Sequence, residues 1–209
     1  MPNFYIIRSN QYAKMAEGFY TEYLEAKRFC EKISKLEVKK ENANDYYANL
    51  MINVWKRDES AIAAVLFQAL AVEAYLNLLG ITLFGEKKYY KRIEQTGIET
   101  KYKKIEEKLG QPLPKELTVR IDRLFEKRKN FVHQKPKAYR IGLVEYDYSN
   151  PEESFEDIDA YMKELAYAEE NIEDDMGIYR DLQESVRVLR GAELELTAEY
   201  KHGFHQWHN

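Results

Sequence analysis

Arg128 and His133 stand five residues apart in the stretch Glu126-Lys127-Arg128-Lys129-Asn130-Phe131-Val132-His133-Gln134. A guanidinium grips phosphate through paired N–H donors, and an imidazole gives and takes protons near neutral pH. Together they supply the chemistry that half of a phosphodiester-cleaving site would need. The histidine also stands alone. The chain has four histidines, and the other three (His202, His205, His208) fall within the last eight residues. The competing reading is an ordinary helix surface, because arginine and histidine recur at this spacing by chance.

Such a pair needs a particular setting. Five residues of straight helix turn through about 140°. The two side chains therefore converge only where a helix ends beside His133 or where a second subunit completes the site. Pro136 disfavours helix at Lys135, so an end close to His133 is predicted. Lys129 and Asn130 precede His133 by four and three residues and can share its face. Asn130 is placed to orient the imidazole or to bind phosphate.

The elements that would position these groups follow from apolar periodicity. Tyr12, Met15, Phe19, Tyr23, Ala26, Phe29, Ile33 and Leu36 mark one stripe of a long helix over about residues 11–36. The polar stretch Glu41 to Asn44 marks a break. A second helical region runs from about Asp45 towards Lys56 and either ends there or fuses with the next. Asp58 or Ser60 is a candidate cap for the most apolar helix of the chain. There Ile62, Val65, Leu66, Ala69, Leu70, Leu76 and Leu79 cover more than one face, with Gly80 and Gly85 in its end region. Gln68, Glu73 and Asn77 interrupt this apolar stretch, which favours a buried core helix over a membrane span.

Shorter helices are predicted at about 87–95 and 99–109, stopped by Gly110 and Pro112. Pro114 suits the first turn of a helix through His133, buried through Leu117, Ile121, Leu124, Phe125, Phe131 and Val132. Residues 139–148 read as a short hairpin or a loop. Asn150-Pro151 and Ser154 introduce a last long helix over about 155–189, with Gly191 as a cap. The sum is an all-α, up-and-down bundle of four to five main helices over residues 1–191, followed by a tail at 192–209.

Composition agrees. The chain has 209 residues, 44% hydrophobic and 33% charged, with nine glycines and five prolines. That describes a helix-rich globular protein with a real core. A single cysteine, Cys30, rules out an intramolecular disulfide framework, and its place beside Phe29 makes it a core residue. No P-loop, dinucleotide-binding glycine motif, zinc signature or serine elbow occurs. No cofactor and no metal ligand set is expected. The N-terminus lacks a basic region followed by a long apolar run, so no signal peptide is expected and a cytoplasmic location is.

The net charge of −4 hides a segregation. Residues 86–140 carry 17 Lys/Arg against 8 Asp/Glu, a net of +9, and the remainder carries −13. A local positive potential attracts polyanions, although acidic and basic helices packed side by side give the same count. Within this segment Lys87, Lys88, Lys91 and Arg92 surround Tyr89 and Tyr90, the mixture that single-strand binders use. With Lys127 they form the candidate nucleic-acid contacts. The acidic run Glu169 to Asp175 reads as a solvated helix face. The His202/His205/His208 tail reads better as packing of Phe204 and Trp207 than as a metal site.

Glu73 is the one carboxylate in Ala69-Leu70-Ala71-Val72-Glu73-Ala74-Tyr75-Leu76-Asn77. Burying it demands a cation, and Arg128, Arg123 and Lys127 are the candidates. This central helix, followed by a later helix ending in Arg128-x4-His133, resembles the HEPN superfamily (higher eukaryotes and prokaryotes nucleotide-binding). The resemblance covers roughly Ala61 to His133 and the closing helix. It implies a metal-independent endoribonuclease of a prokaryotic toxin or anti-phage system. Such a protein works as a homodimer on RNA, with Arg128 and His133 catalytic, Asn130, Lys129 and Glu73 supporting, and an antitoxin or other protein as a partner. Family members that have lost catalysis imply the alternative, an inactive module binding a nucleotide or a protein. The sequence departs from the family at Lys129, where a small polar residue usually follows the arginine. An unrelated helical scaffold is the third reading.

Overall fold

The computed structural model describes residues 2–33, 43–133, 163 and 166–189. The chain is all-α, and no strand occurs among the described residues. The helices are α1 (Pro2–Ile33), α2 (Ala43–Phe84), α3 (Glu86–Arg92), α4 (Ile98–Leu109), α5 (Lys115–His133) and α6 (Ile172–Leu189). The predicted hairpin or loop at 139–148, residues 155–162 of the last helix, and the histidine tail lie outside the described residues.

The two helical regions expected between Asp45 and Leu83 are one helix of 42 residues. No glycine or proline interrupts it before Gly80, and Asp58 and Ser60 are buried inside it instead of capping a new start. The real stop is Gly85, whose φ of 80° suits glycine. Gly80 has a different purpose. A Cβ there would come within 2.1 Å of the Tyr89 ring, so glycine lets α3 lie against α2. Gly110 ends α4 in the left-handed conformation, its N–H donating to the Glu106 carbonyl. Pro114 lies just before α5, where its carbonyl accepts from Thr118 N at 3.1 Å. It is therefore the residue preceding the helix and not its first turn.

The last helix is broken. Residues 166–169 are helical, Glu170 and Asn171 form a turn, and α6 begins at Ile172. Asn171 has φ 56°, a left-handed conformation that asparagine tolerates better than most residues. Periodicity alone ran straight through this point.

The chain divides into two compact units. Unit 1 contains Met1–Lys14, Phe67–Phe125 and Gly177–Asn209, and unit 2 contains Met15–Leu66 and Glu126–Met176. The divisions fall inside α1, α2, α5 and α6 and not in linkers, which is why composition carries no mark of them.

Unit 1 buries Val72, Leu76, Leu79, Ile105, Ile121 and Leu182. Ile81, Tyr89 and Ile93 form a cluster edged by Phe84 and Tyr90. Tyr179 donates to Asn10 Oδ1 at 2.7 Å and receives Gln183 Nε2 at 2.8 Å, which fixes α6 against the start of α1.

In unit 2 the paired stretches of α1 and α2 bury small residues: Ala16 and Ala26 on one, Ala61 and Ala64 on the other. The Tyr46 hydroxyl donates to the Ile33 carbonyl at 2.9 Å and ties the two helices where they meet. Among the described residues of α1, Ser9, Ala16, Tyr23, Ala26 and Cys30 are buried, while Met15 and Phe29, expected in the stripe, are exposed. Cys30 is buried as expected, and burial raises its thiol pKa.

Candidate functional site

The last two turns of α5 belong to unit 2. Leu117, Ile121 and Leu124 are buried as the periodicity requires, but Val132, expected inside, is 57% exposed. Its place on the buried face is taken by Lys127. The Lys127 ammonium and the Asp175 carboxylate are both 0% exposed and 2.8 Å apart. The ammonium also donates to the Glu170 carbonyl and lies 5.7 Å from the centre of the Tyr167 ring. Lys127 was expected to contact nucleic acid. The structure makes it a core residue instead, because its charge is neutralised inside and none of its surface meets solvent.

Asn130 and Phe131 follow Lys127 by three and four residues and share its face. Asn130 hydrogen-bonds the Tyr167 hydroxyl, and the Phe131 and Tyr167 rings lie 6.4 Å apart. Burial raises the pKa of that hydroxyl, with Glu126 and Glu170 adding to the rise and the Asn130 hydrogen bond opposing it. Asn130 thus holds the neighbouring segment, a use different from the imidazole or phosphate contact its spacing suggested.

Arg128 is half-buried and Lys129 is exposed. α5 is described as far as His133, and the ending predicted from Pro136 lies outside the described residues. By helical register Arg128 and His133 flank the side opposite Lys127, about 140° apart. Lys129 and Val132 occupy the exposed strip between them. One copy of the helix therefore presents the two positions across a strip carrying an exposed lysine.

A second set of charges steadies this end of unit 2. Arg57 Nε donates to Asp58 Oδ1 at 2.8 Å and lies 3.3 Å from Glu169 Oε1. Its single N–H goes to Asp58, so Glu169 receives charge but no hydrogen bond at that oxygen. Burial works against the Arg57 charge, but the two carboxylates outweigh it and raise its pKa. The acidic run at 169–175 is therefore partly internal: Asp175 is buried and Glu169 is half-buried.

Glu73 and the cluster on α3 belong to unit 1. Glu73 Oε1 lies 3.4 Å from Lys101 Nζ, and Lys101 also donates to Asn77 Oδ1 at 3.1 Å. Asn77 Oδ1 accepts the Tyr89 hydroxyl as well. Lys101 is buried, and Glu73 keeps 28% of its side chain exposed. Lys101, which the sequence reading did not name, is thus a cation at Glu73. The available signal was weak: Lys101, Tyr102 and Ile105 make the inner face of a short helix otherwise rich in lysine and glutamate.

Lys87, Lys88, Lys91 and Arg92 are all exposed. Tyr89, the aromatic among them, is not, because its ring fills the space above Gly80. Lys88 Nζ lies 5.6 Å from the centre of the Phe84 ring. The cluster offers cations to a polyanion, but Tyr89 is closed to base stacking.

Two other observations bear on function. Residues 46–84 include a stretch long and apolar enough to cross a membrane, and 61% of that window is buried inside the protein, as in a core helix. Among the described residues no three His, Cys, Asp or Glu side chains gather into a metal-binding group. No family model, curated protein or solved structure matches this chain.

Proposed function

We propose that this chain is a metal-independent endoribonuclease of a prokaryotic toxin or anti-phage system, acting as a homodimer through Arg128 and His133. The observation that carries the reading is the end of α5. There Lys129 lies on the exposed strip between the positions of Arg128 and His133, and the opposite face is anchored by Lys127 and Asp175. Arg128 grips the scissile phosphate and stabilises the charge it gains in the transition state. His133 of one copy takes the proton from the ribose 2′-hydroxyl, whose oxygen attacks phosphorus. His133 of the second copy protonates the departing 5′-oxygen. The products are a 2′,3′-cyclic phosphate and a 5′-hydroxyl, so RNA is the substrate and DNA is not. Lys87, Lys88, Lys91 and Arg92 attract the polyanion, and an antitoxin or another protein is the regulatory partner.

A second reading has a specific observation behind it. Glu73, the carboxylate of the central helix, is engaged by the buried Lys101 in a partly buried polar network. That is a structural use, and it favours a catalytically inactive HEPN-like module that binds a nucleotide or a protein. Incubation of the protein with RNA in excess EDTA separates the two. The ribonuclease reading expects cyclic-phosphate ends that disappear in both Arg128→Ala and His133→Ala. No cleavage by the wild type, or cleavage surviving both changes, overturns it in favour of the binding module.

A further inference from the structure

Lys87, Lys88, Lys91 and Arg92 make up most of the seven-residue helix α3, and all are exposed. Among the described residues no carboxylate pairs with any of the four. Other cations of unit 1 are paired: Lys103 with Glu99, Lys101 with Glu73 and Arg120 with Asp181. Helical register sorts the four into two rows, Lys87 with Lys91 and Lys88 with Arg92, each pair about 6 Å apart along the axis. The helix that carries them is held firmly. Tyr89 fills the space above Gly80, its hydroxyl donates to Asn77 Oδ1, and Ile93 is buried in the same cluster. That packing also withdraws the aromatic rings. Tyr89 is buried, and Tyr90 is half-buried with its ring edge-on to Tyr89 at 5.9 Å. The patch can neutralise charge, but it offers no open ring on which a base could stack.

We infer that α3 is a phosphate-docking site that holds a nucleic-acid strand by its backbone, without regard to base or sugar, so that the protein binds DNA as well as RNA and cuts only RNA. The inference rests on the ribonuclease reading for the polyanion being a nucleic acid, and goes beyond it in separating docking from cleavage. The two also fall in different units, α3 in unit 1 and Arg128 and His133 in unit 2. Lysine and arginine side chains carry only donors, and a phosphate oxygen accepts from them whichever sugar it joins. Phosphates recur about every 3.4 Å of axis along a duplex strand, so cations about 6 Å apart match every second one. A regular row of cations suits such a regular polyanion better than the irregular carboxylates of an acidic protein. A lipid surface fits less well, because an interfacial helix needs an exposed apolar face and the apolar side of α3 is turned inward.

Fluorescence anisotropy reads the binding of a labelled strand to the full chain carrying His133→Ala, which keeps RNA intact. Single-stranded RNA and DNA of one sequence are expected to bind within about threefold of each other. Lys87→Gln, Lys88→Gln, Lys91→Gln and Arg92→Gln combined weaken both by at least about tenfold, with helical circular dichroism unchanged. Lys91→Gln alone flattens the slope of log affinity against log salt by about 0.7, the share of one phosphate on a single strand. Tyr90→Leu leaves the affinity where it was. No binding of either strand, or binding that survives the combined change, overturns the docking site. RNA held more than about tenfold tighter than DNA, or a loss on Tyr90→Leu, overturns its indifference to sugar and base. Displacement of the strand by polyglutamate as readily as by unlabelled DNA, or binding to phosphatidylserine vesicles alone, overturns it in favour of an acidic protein or of lipid. The wild type binding both strands and cutting neither upholds docking and removes the ribonuclease reading. RNA cleavage with binding indifferent to the α3 changes does the reverse.

Discussion

Among the described residues each unit buries one lysine, and the two are neutralised in different ways. Lys127 in unit 2 faces a carboxylate as deeply buried as itself, at 2.8 Å, and also donates to a backbone carbonyl freed by the turn at Glu170 and Asn171. Lys101 in unit 1 shares its protons between a neutral amide at 3.1 Å and a glutamate at 3.4 Å that still meets water. In the first arrangement, loss of Asp175 leaves the ammonium with a carbonyl that carries no countercharge. In the second, solvent and Asn77 take up part of the loss. A fully enclosed pair therefore makes its surroundings brittle, and a partly wet network makes them tolerant. The brittle pair stands directly beside Arg128, where a ribonuclease site would require a fixed backbone.

The largest expected effect comes from breaking the enclosed pair. Asp175→Ala leaves an uncompensated buried ammonium and should cost about 3–5 kcal/mol, read from the urea midpoint. The double change Lys127→Met with Asp175→Leu should recover most of that loss, because two apolar side chains carry no desolvation penalty. Equal losses in the single and double variants would refute the distinction.

Gly80→Ala comes next and acts on the unit 1 network through Tyr89. Alanine ordinarily gains about 1 kcal/mol over glycine inside a helix. Here the added methyl drives into the Tyr89 ring, whose hydroxyl helps to hold Asn77. A net loss of about 1–3 kcal/mol is expected, and thermal unfolding that showed a gain would remove Tyr89 from the argument.

Glu73→Gln should be milder, about 1 kcal/mol, because Lys101 keeps Asn77 and water can reach the site. A loss as large as that of Asp175→Ala would erase the contrast between the two units.

The smallest effect is a pH dependence in unit 1. Burial raises the Tyr102 pKa above its usual value near 10, and the hydrogen bond to Asp122 at 2.9 Å raises it further. A folded pKa above the unfolded one contributes stability that is complete below about pH 10 and is lost as the pH climbs through the folded value. Tyr102→Phe should therefore lower stability at neutral pH and flatten the decline above about pH 10. An unchanged alkaline slope in denaturant titrations would remove Tyr102 from the account.

Some of this was legible in the residues. Leu117, Ile121 and Leu124 recur at helical spacing and are buried, and Gly110 ends its helix. These are local rules, and the chain obeys them locally. Lys127 was misread because a lysine among Lys127-Arg128-Lys129 looks like surface, and only the carboxylate 48 residues later in the chain reveals that it is not. Val132 was misread for the matching reason: helical register gave its angle on α5, but not which angles another segment would cover. The break at Asn171 escaped because asparagine in a polar run fits a helix surface and a left-handed turn equally well.

The sequence by itself determined that this protein is all-α, that α2 and α4 end at their glycines, and which residues stand in the last described turns of α5, because backbone hydrogen bonding and side-chain period are near-neighbour properties. Only the tertiary structure decided which of the cations near Arg128 became interior, which partner Glu73 received, and that α2 runs unbroken past Asp58. Burial depends on what another part of the chain brings up against a face, and a charge becomes affordable inside only when its partner arrives with it.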